Sequence, residues 1–456
     1  MSSAPLALAL DLGSTRLKLA ALGADGKLSL LATRPAPQTR ESEFECDFDA
    51  REFDAAVAEL LELARAAAPR APLGLACQRS TLVAWDATTR EPLTRALSWR
   101  DRRAQAWCAT QREREPWLAE YSGLRLSPHH FGPKLAVLAA AGLFAGRRDV
   151  RVGTLEAFVL ARRAAPLHLT DASMAARTAL FDVRVGAWNP EALNWVGAPL
   201  DALPRLAPSA GRDDELPGGL RVAASLADQA AGFLASAREG AKRLLVNLGT
   251  GGFVLRELAR FQPRAGFLCG PLMTAPGGAT RWALEGTLNA GAPGLERIGG
   301  ASAAPSSSDP QPDVHCAPED GVGAPHWRSD LGPRFSTEAL TPDARRRAFL
   351  EGLVFRVREL VDALDPRAEC ELALSGGVAR DPFLAPALAA LLERPLEVLD
   401  DHEATLLGAA RLAAGLEACA APASTRLAPA REHAWLRAKF ERWLAWRAPW
   451  LAQHIR

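Results

Sequence analysis

The stretch "LALDLGSTRLKLAAL", residues 8–22, has two apolar runs separated by a Gly-Ser-Thr corner. Two such runs joined by a short glycine-containing turn predict a strand–turn–strand unit. The same pattern returns in "LLVNLGTGGFVL", residues 244–255. Alignment of the two stretches matches Asp11 with Asn247, Gly13 with Gly249, Ser14 with Thr250 and Thr15 with Gly251. The repeat indicates that two halves of the chain begin in the same way.

Chain length supports this division. At 456 residues the protein is too long for one ordinary hydrophobic core. Strands alternate with helices in both halves, which predicts duplicated α/β domains with a cleft between them. We place the domains at residues 1–222 and 223–456. The main helices are predicted at 54–68, 133–145, 154–164 and 343–364, and another is predicted after 403. A helical tail with Trp435, Trp443, Trp446 and Trp450 is predicted to dock on the core. Residues 300–322 are predicted to form a surface loop.

Composition excludes several classes of partner. The 54 Lys and Arg residues nearly balance the 53 Asp and Glu residues, which gives no electrostatic basis for binding nucleic acid or an anionic membrane. No segment has the roughly 18 consecutive apolar residues of a membrane span, and no signal peptide is evident, so we expect a cytoplasmic protein. The seven cysteines are scattered without a CxxC motif, which favours buried thiols over disulfides or zinc.

The two glycine corners suggest a phosphate site. Backbone N–H groups at such a corner can approach an anion closely, and the Ser and Thr hydroxyls add donors. Two corners that face each other would hold a polyphosphate from both sides. Asp11 is then the candidate ligand for the Mg²⁺ that phosphate chemistry needs, and one metal needs such a carboxylate in one half only. The alternative is two ordinary hairpins that use glycine for its conformational freedom.

Two further motifs complete the candidate chemistry. "LSGGVARDPF" places Gly376 and Gly377 between a strand and a helix, where a ribose or a flat ring could lie against backbone, although a plain connection explains the pattern equally. "SLADQAAGFLA" places Asp228 at a helix start, where an Asp usually caps the helix. Because Asp228 precedes the second corner closely, it is also the candidate general base for a hydroxyl that attacks a γ-phosphate.

In this order, the motifs resemble those of the FGGY family of carbohydrate kinases, most closely its glycerol kinases. The resemblance covers nearly the whole chain and includes "WALEG" (282–286), "GAPHW" (323–327) and "EATLLGAA" (403–410). It implies two ribonuclease-H-like domains of the actin, hexokinase and heat-shock ATPase fold around an ATP cleft. It also implies that Lys18 neutralises phosphate charge and that Asp381 stands near the adenine, where the family has Asn.

The resemblance also implies a substrate pocket. The residues that match it are Arg79, Ser80, Trp99, His129, Asp228, Gln229 and Phe253. Two of them depart from the glycerol kinase pattern, because Ser80 replaces a Glu and His129 replaces a Tyr. Loss of a carboxylate removes charge-assisted hydrogen bonds and opens space. These departures predict a sugar or polyol that is larger than, or different from, glycerol. Without the resemblance, Arg79 could equally pair with an acid such as Asp101, His129 could be a hydrogen-bonded loop residue, and Trp99 could be a core residue.

The implied activity is ATP- and Mg²⁺-dependent phosphorylation of a hydroxyl of a small sugar or polyol, with Asp228 as the base. One alternative is an ATPase of the same fold that activates or regulates a partner without phosphorylating a sugar. Another is a sugar-binding relative that has lost its kinase activity. Homodimers are common in the family, so a homodimer is a candidate assembly.

Overall fold

A computed structural model describes residues 4–238, 240–249, 251–304, 306–400, 403–416, 423–430 and 434–452. Within these residues the strands form two large mixed sheets, one in each half of the chain, and several two- and three-stranded ones. One hydrophobic core surrounds the first sheet and extends to residues of the second, such as Leu245 and Ala373, and another lies within the second half.

The first sheet grows from the quoted stretch. Its strands, in spatial order, are β14 (Ala210–Glu215), β15 (Arg221–Ala227), β6 (Pro72–Cys77), β1 (Ala7–Leu12), β2 (Arg16–Leu22) and β3 (Leu28–Pro35). The β1–β2 pair is antiparallel, whereas β1, β6 and β15 run parallel to one another. All of β1 except Asp11 is buried, as expected for a central strand of a sheet covered on both faces.

The second sheet repeats this arrangement. Its strands, in spatial order, are β18 (Leu268–Thr274), β19 (Thr280–Leu288), β17 (Gly252–Leu258), β16 (Arg243–Leu248), β22 (Glu371–Ser375), β23 (Leu396–Leu399) and β24 (Ser424–Leu427). The β16–β17 pair is antiparallel, and β16 runs parallel to β22. The second glycine corner therefore has the same place in its sheet as the first.

The remaining strands are short and form small sheets beside the large ones. They are β4 (Arg40–Glu41), β5 (Cys46–Phe48) and β8 (Ala96–Leu97) in one sheet, β7 (Val83–Asp86) with β9 (Val150–Gly153), β10 (Leu169–Thr170) with β13 (Arg205–Leu206), β11 (Phe181–Asp182) with β12 (Ala187–Trp188), and β20 (Cys316–Ala317) with β21 (Arg334–Phe335).

The helices cover the sheets. They are α1 (Ala50–Ala67), α2 (Gln105–Thr110), α3 (Glu115–Ser122), α4 (Phe131–Ala140), α5 (Leu155–Arg163), α6 (Ala172–Ala175), α7 (Pro190–Val196), α8 (Asp228–Ser236), α9 (Ala292–Ile298), α10 (Pro342–Leu364), α11 (Leu384–Leu392), α12 (Ala404–Ala413) and α13 (Trp435–Leu451). Short 3₁₀ turns lie at Arg112–Arg114, Ala165–Leu167, Leu200–Ala202 and Gly377–Arg380. No helix in the described ranges is long and apolar enough to cross a membrane.

Some helices begin at a residue other than the predicted one, because a capping side chain sets the first turn. The first helix begins at Ala50 instead of 54, because the Asp49 side chain accepts a hydrogen bond from the Arg51 N–H and starts the helix one turn earlier. The helix predicted at 133–145 spans Phe131–Ala140. The predicted 343–364 helix begins at Pro342, with Thr341 as its cap.

Two predictions about the second half have different outcomes. Docking of the tail is confirmed, since Trp443 is fully buried and its indole N–H donates to Cys316 O at 2.7 Å. The same contact corrects the loop prediction for 300–322. His315, Cys316 and Glu319 are buried, because α13 packs on the first two and Arg356 of α10 donates to Glu319. Cys419 lies outside the described residues, and the other six cysteines are buried free thiols.

The predicted boundary at 222/223 falls within β15, whose residues Arg221–Ala227 pair with β6 of the first sheet. Moreover, α12 of the second half packs on β1 and β6 and against α8. The contact is close, since a Cβ on Gly408 would collide with the backbone of Ala231. The exact domain limits therefore stay a prediction, but α12 of the second half packs on the first sheet and on α8, and α8 contacts both sheets.

Candidate active site

Three neighbouring parallel strands of the first sheet end at the same edge. Leu12 of β1 and Ala227 of β15 both pair with Cys77 of β6. The first glycine corner, Arg79 and Asp228 follow directly after these strand ends, so the fold brings them together from distant parts of the sequence. Carboxyl ends of parallel strands are the usual place for a ligand site in an α/β domain.

Asp228 is the first residue of α8, and its Oδ1 accepts a hydrogen bond from the Gln229 N–H at 2.7 Å. The preceding residue is fixed as well, because the Ala227 N–H donates to Ser173 Oγ at 2.8 Å and Ser173 Oγ donates to the buried Asp171 carboxylate. Burial raises the pKa of Asp228 above that of an ordinary Asp, and the positive charge of Arg79 opposes this rise only in part. A carboxylate with a raised pKa is a stronger proton acceptor.

Arg79 joins the two halves of the molecule. Its Nη1 donates to Glu285 Oε2 of β19 at 2.8 Å, its Nε lies 3.9 Å from Asp228 Oδ1, and its guanidinium lies 5.5 Å from the centre of the Phe253 ring. Arg177 Nη2 donates to Glu285 Oε2 at 2.5 Å. Burial disfavours the charge of Glu285, but Arg177 and Arg79 outweigh it and lower the pKa of this carboxyl. Glu285 is therefore ionised and shared by two arginines.

Arg79 forms an ion pair with an acidic residue, as one of the alternatives predicted, but this residue is Glu285 and not Asp101. Asp101 instead accepts hydrogen bonds from Arg103 Nη2 at 2.9 Å and from the Cys46 N–H at 2.7 Å. Ser80 is buried, and its hydroxyl donates to Arg177 O at 3.2 Å. A contact between Ser80 and a substrate hydroxyl therefore stays a prediction.

Trp99 and His129 contact each other, as expected if both line one pocket. His129 is exposed, and its Nδ1 lies 3.1 Å from Trp99 O. Trp99 is half-buried, and its N–H donates to Thr81 Oγ1 at 3.2 Å. The alternative predictions describe part of this arrangement, because His129 is hydrogen-bonded and Trp99 is partly packed. Neither observation excludes a role of these two residues in the substrate pocket.

The first glycine corner is surrounded by charge. Burial and the negative charge of Asp228 raise the pKa of Asp11 to about 7. Lys18, which lies opposite Asp11 in the β1–β2 pair, donates to both carboxylate oxygens of Glu403 at 2.7 Å. Glu403 also contributes to the raised pKa of Asp11. A divalent cation bound at Asp11 would relieve this accumulation of negative charge.

These residues fit Mg²⁺ bound through one protein carboxylate. Among the described side chains, no group of three or more His, Cys, Asp and Glu residues is arranged to hold a metal. Mg²⁺ does not require such a group, because it commonly keeps several waters and takes other ligands from substrate phosphates. Asp11 as the metal ligand stays a prediction that the donor chemistry supports.

The second and third glycine turns lie side by side, because Asn247 pairs with Ser375 in the parallel β16–β22 ladder. Gly376 has a φ of 100°, and a Cβ there would collide with the carbonyl of Leu248 and with Asn247, so this close approach requires glycine. Gly249 and Gly377 are the opposite case, since a Cβ on either would meet no atom within 4 Å. Their backbones face open space, which suits a nucleotide laid along these turns. Thr250 lies outside the described residues.

Asp381 is fully engaged within the protein. Its Oδ2 accepts hydrogen bonds from Ser302 Oγ at 2.6 Å and from Arg346 Nη2 at 2.9 Å, and its Oδ1 accepts from the Phe383 N–H at 3.1 Å. In this arrangement Asp381 orders the turn after Gly377. A direct contact with the adenine stays a prediction.

Sequence reasoning missed Arg177 and Glu285. The "WALEG" motif contains Glu285, but the neighbouring sequence does not indicate that its carboxylate reaches Arg79 of the other half. Arg177 follows α6 in a stretch without a motif. Together with Arg79 and Gln229, both line a small pocket between the halves of the molecule. Asn247 also reaches the start of α8, since its Nδ2 donates to Gln229 Oε1 at 3.2 Å.

Comparison with known proteins agrees with this geometry. The model of the N-terminal domain of the FGGY family of carbohydrate kinases matches residues 6–217, and the model of its C-terminal domain matches residues 244–416. A glycerol kinase of Alkalilimnicola ehrlichii is 33% identical over 75% of both chains. A glycerol kinase of Gloeobacter violaceus is 31% identical over 90% of this chain and 87% of its own length.

Solved structures confirm the predicted fold. A ligand-bound xylulose kinase from Lactobacillus acidophilus superposes with a TM-score of 0.84 at 18% identity, covering 98% of both chains. A Plasmodium falciparum glycerol kinase with ADP superposes with a TM-score of 0.82 at 17% identity, again over 98% of both chains. The two family models together span most of the chain. The protein therefore belongs to the FGGY family of carbohydrate kinases.

Proposed function

We propose that this kinase transfers the γ-phosphoryl group of ATP to a hydroxyl of a small sugar or polyol that is larger than, or different from, glycerol. The observation that carries the proposal is the position of Asp228. It follows a strand that ends beside the first glycine corner, and it lies 3.9 Å from Arg79, the residue expected to hold substrate hydroxyls. A proton acceptor thus lies between the predicted phosphate site and the predicted sugar site.

The protein's own groups would act as follows. The corners at Gly13 and Gly249 hold phosphate oxygens through backbone N–H groups, and Gly377 leaves space for the nucleoside. Asp11 holds Mg²⁺, which would neutralise phosphate charge during transfer. Arg79 orients the substrate, and Asp228 accepts the proton of the attacking hydroxyl. Contacts across the cleft, such as Arg79 with Glu285, exclude water and so limit hydrolysis.

The substrate preference follows from Ser80 and His129. The carboxylate that pairs with Arg79 belongs to Glu285, whereas the next residue in sequence, Ser80, is a buried serine. The exposed His129 would offer the proposed pocket a shorter polar side chain than tyrosine. Both changes leave more room, and fewer fixed acceptors, for a substrate with more carbon atoms than glycerol.

An ADP-release assay across glycerol, tetritols, pentitols, ketopentoses and deoxysugars tests the proposal. We expect at least one compound larger than glycerol to give a higher kcat/KM than glycerol itself. A preference for glycerol would contradict the substrate assignment while leaving the kinase assignment intact. ATP hydrolysis that no compound stimulates would favour the ATPase alternative, and failure to bind Mg-ATP in a calorimetric titration would favour a relative without kinase activity.

A further inference from the structure

One buried amine connects the three segments that carry the proposed sugar pocket. Lys134 of α4 is fully buried, and its Nζ donates to Ser80 O at 2.7 Å and to Ser98 O at 2.8 Å. Ser80 directly follows Arg79, and Ser98 directly precedes Trp99. Lys134 itself lies a few residues after His129 on the same segment.

Burial of this amine is costly, because a charged group loses its hydration in the protein interior. Both of its hydrogen bonds go to main-chain carbonyls. Burial lowers the pKa of Lys134 to about 7, since the charged form is disfavoured there. A methionine would fill the same space without this cost, so the functional difference between the two side chains is the pair of hydrogen bonds.

The first of these bonds holds a strained residue. Ser80 has a φ of 65°, in the left-handed region that residues other than glycine rarely adopt. Such a conformation is energetically unfavourable and persists only where surrounding contacts hold it. Here the Ser80 carbonyl is held by Lys134, and its hydroxyl is held by Arg177 O. The bond from Lys134 thus fixes the direction in which the chain leaves Arg79.

The second bond fixes the segment with Trp99. Ser98 O accepts from Lys134, the Trp99 N–H donates to Thr81 Oγ1, and the Trp99 carbonyl lies next to His129 Nδ1. The two segments are therefore joined directly through Thr81 and indirectly through the amine of Lys134.

We propose that Lys134 is a positioning residue for the acceptor substrate: by bonding Ser80 O and Ser98 O it holds Arg79 and Trp99 at the spacing that binds the sugar or polyol. Lys134 is fully buried, so it acts through these two carbonyls and not by direct contact with the substrate. The expected change in KM rests on the proposed function. The expected loosening of the Ser80 and Ser98 segments does not.

The test compares Lys134→Met with Lys439→Met. Lys439 is a matched control because it is also buried and donates to a main-chain carbonyl, Gln311 O, at 2.7 Å. Its other partners are Asp309 and Glu351, in the second half of the chain. Both variants remove a buried amine and both should lower the melting temperature, so loss of stability alone cannot distinguish them.

For Lys134→Met we expect the KM for the preferred polyol to rise about tenfold, with the KM for ATP changed by less than about twofold. Lys439→Met should leave both constants within about twofold of wild type. If Lys134→Met does not fold, Lys134→Gln, whose shorter side chain keeps a donor, should show a smaller shift of the same kind. A polyol KM within twofold of wild type in the folded Lys134 variant, or an equal rise of both KM values, would overturn the proposal.

Hydrogen exchange measured by mass spectrometry separates this proposal from the proposed function. Peptides covering residues 78–82 and 97–101 should exchange faster in Lys134→Met than in wild type, and should be unchanged in Lys439→Met. If no polyol is phosphorylated by wild type, the proposed function fails and the exchange result still decides the structural role. If wild type phosphorylates a polyol but exchange in both segments is unchanged in Lys134→Met, the positioning role fails alone.

Discussion

The two glycine corners occupy equivalent places in their sheets and carry different side-chain chemistry. In the first half, Asp11 lies opposite Lys18 in the antiparallel pair and beside Ala76 in the parallel pair. In the second half, Asn247 lies opposite Phe253 and beside Ser375. Two charged groups in one half thus correspond to an amide and an aromatic ring in the other.

This difference suggests a division of labour within the cleft. The charged pair of the first half belongs to a cluster with Glu403 and Asp228, which suits a metal and phosphate groups. The neutral pair of the second half contacts Gln229 and Arg79 and suits the uncharged part of a substrate. A duplicated fold can thus provide two different surfaces at equivalent places in its two sheets, because the side chains beside each corner differ.

The largest effect is expected for Asp228→Asn, which removes the acid that lies between the two surfaces. The amide cannot accept the proton of the attacking hydroxyl, so turnover should fall by about 10²- to 10⁴-fold. ADP release with the preferred polyol measures it, and Asp201→Asn, at an exposed acid, is the control. More than about a tenth of wild-type turnover would remove Asp228 from the role of base.

Asp11→Asn makes the first corner resemble the second. Loss of the carboxylate should reduce turnover about 10²-fold by weakening Mg²⁺ binding. The ligand-free protein should become more stable, because burial and Asp228 disfavour the ionised Asp11 and the amide carries no charge. Turnover against Mg²⁺ concentration and calorimetric melting at pH 8 measure the two effects. Asp25→Asn, at an exposed turn, is the control, and a lower melting temperature for Asp11→Asn would contradict the electrostatic account.

Asn247→Asp makes the second corner resemble the first. The new carboxylate cannot donate to Gln229 Oε1 and adds a further negative charge to the cleft. We expect kcat/KM for the polyol to fall about tenfold, which corresponds to about 1.4 kcal/mol of transition-state stabilisation. Steady-state kinetics measure it, with Asn194→Asp at an exposed position as the control. Unchanged kinetics would show that the neutrality of the second corner is irrelevant.

The smallest effect is expected for Phe253→Leu. The shorter side chain loses contact with Arg79 and with the carbon chain of the substrate, so the polyol KM should rise about threefold with the KM for ATP unchanged. Phe335→Leu is a matched control, because Phe335 also lies under an arginine, Arg345, but far along the chain in the second half. An equal rise in the KM for ATP would assign Phe253 to the nucleotide side of the cleft.

The register of strand pairing explains why the two corners cannot be compared from the sequence alignment alone. Sequence alignment of the two corners sets Lys18 against Val254, whereas strand pairing sets Phe253 at the place of Lys18, because the second hairpin is one residue shorter. Side chains alternate between faces along a strand, so a shift of one residue exchanges the side chains that face the cleft. The site assignment of Phe253 came from the family resemblance and not from the alignment of the corners.

The sequence by itself determined the duplicated α/β fold, the family, and the local turns, because periodicity, glycine corners and ordered motifs are properties of contiguous residues. It also identified Asp11, Arg79 and Asp228 as candidates. Tertiary structure alone decided that Glu285 and Arg177 are the partners of Arg79, that Glu403 pairs with Lys18, and that Lys134 joins two pocket segments. Each of these contacts links residues far apart in sequence, so only the folded chain sets the distances between them.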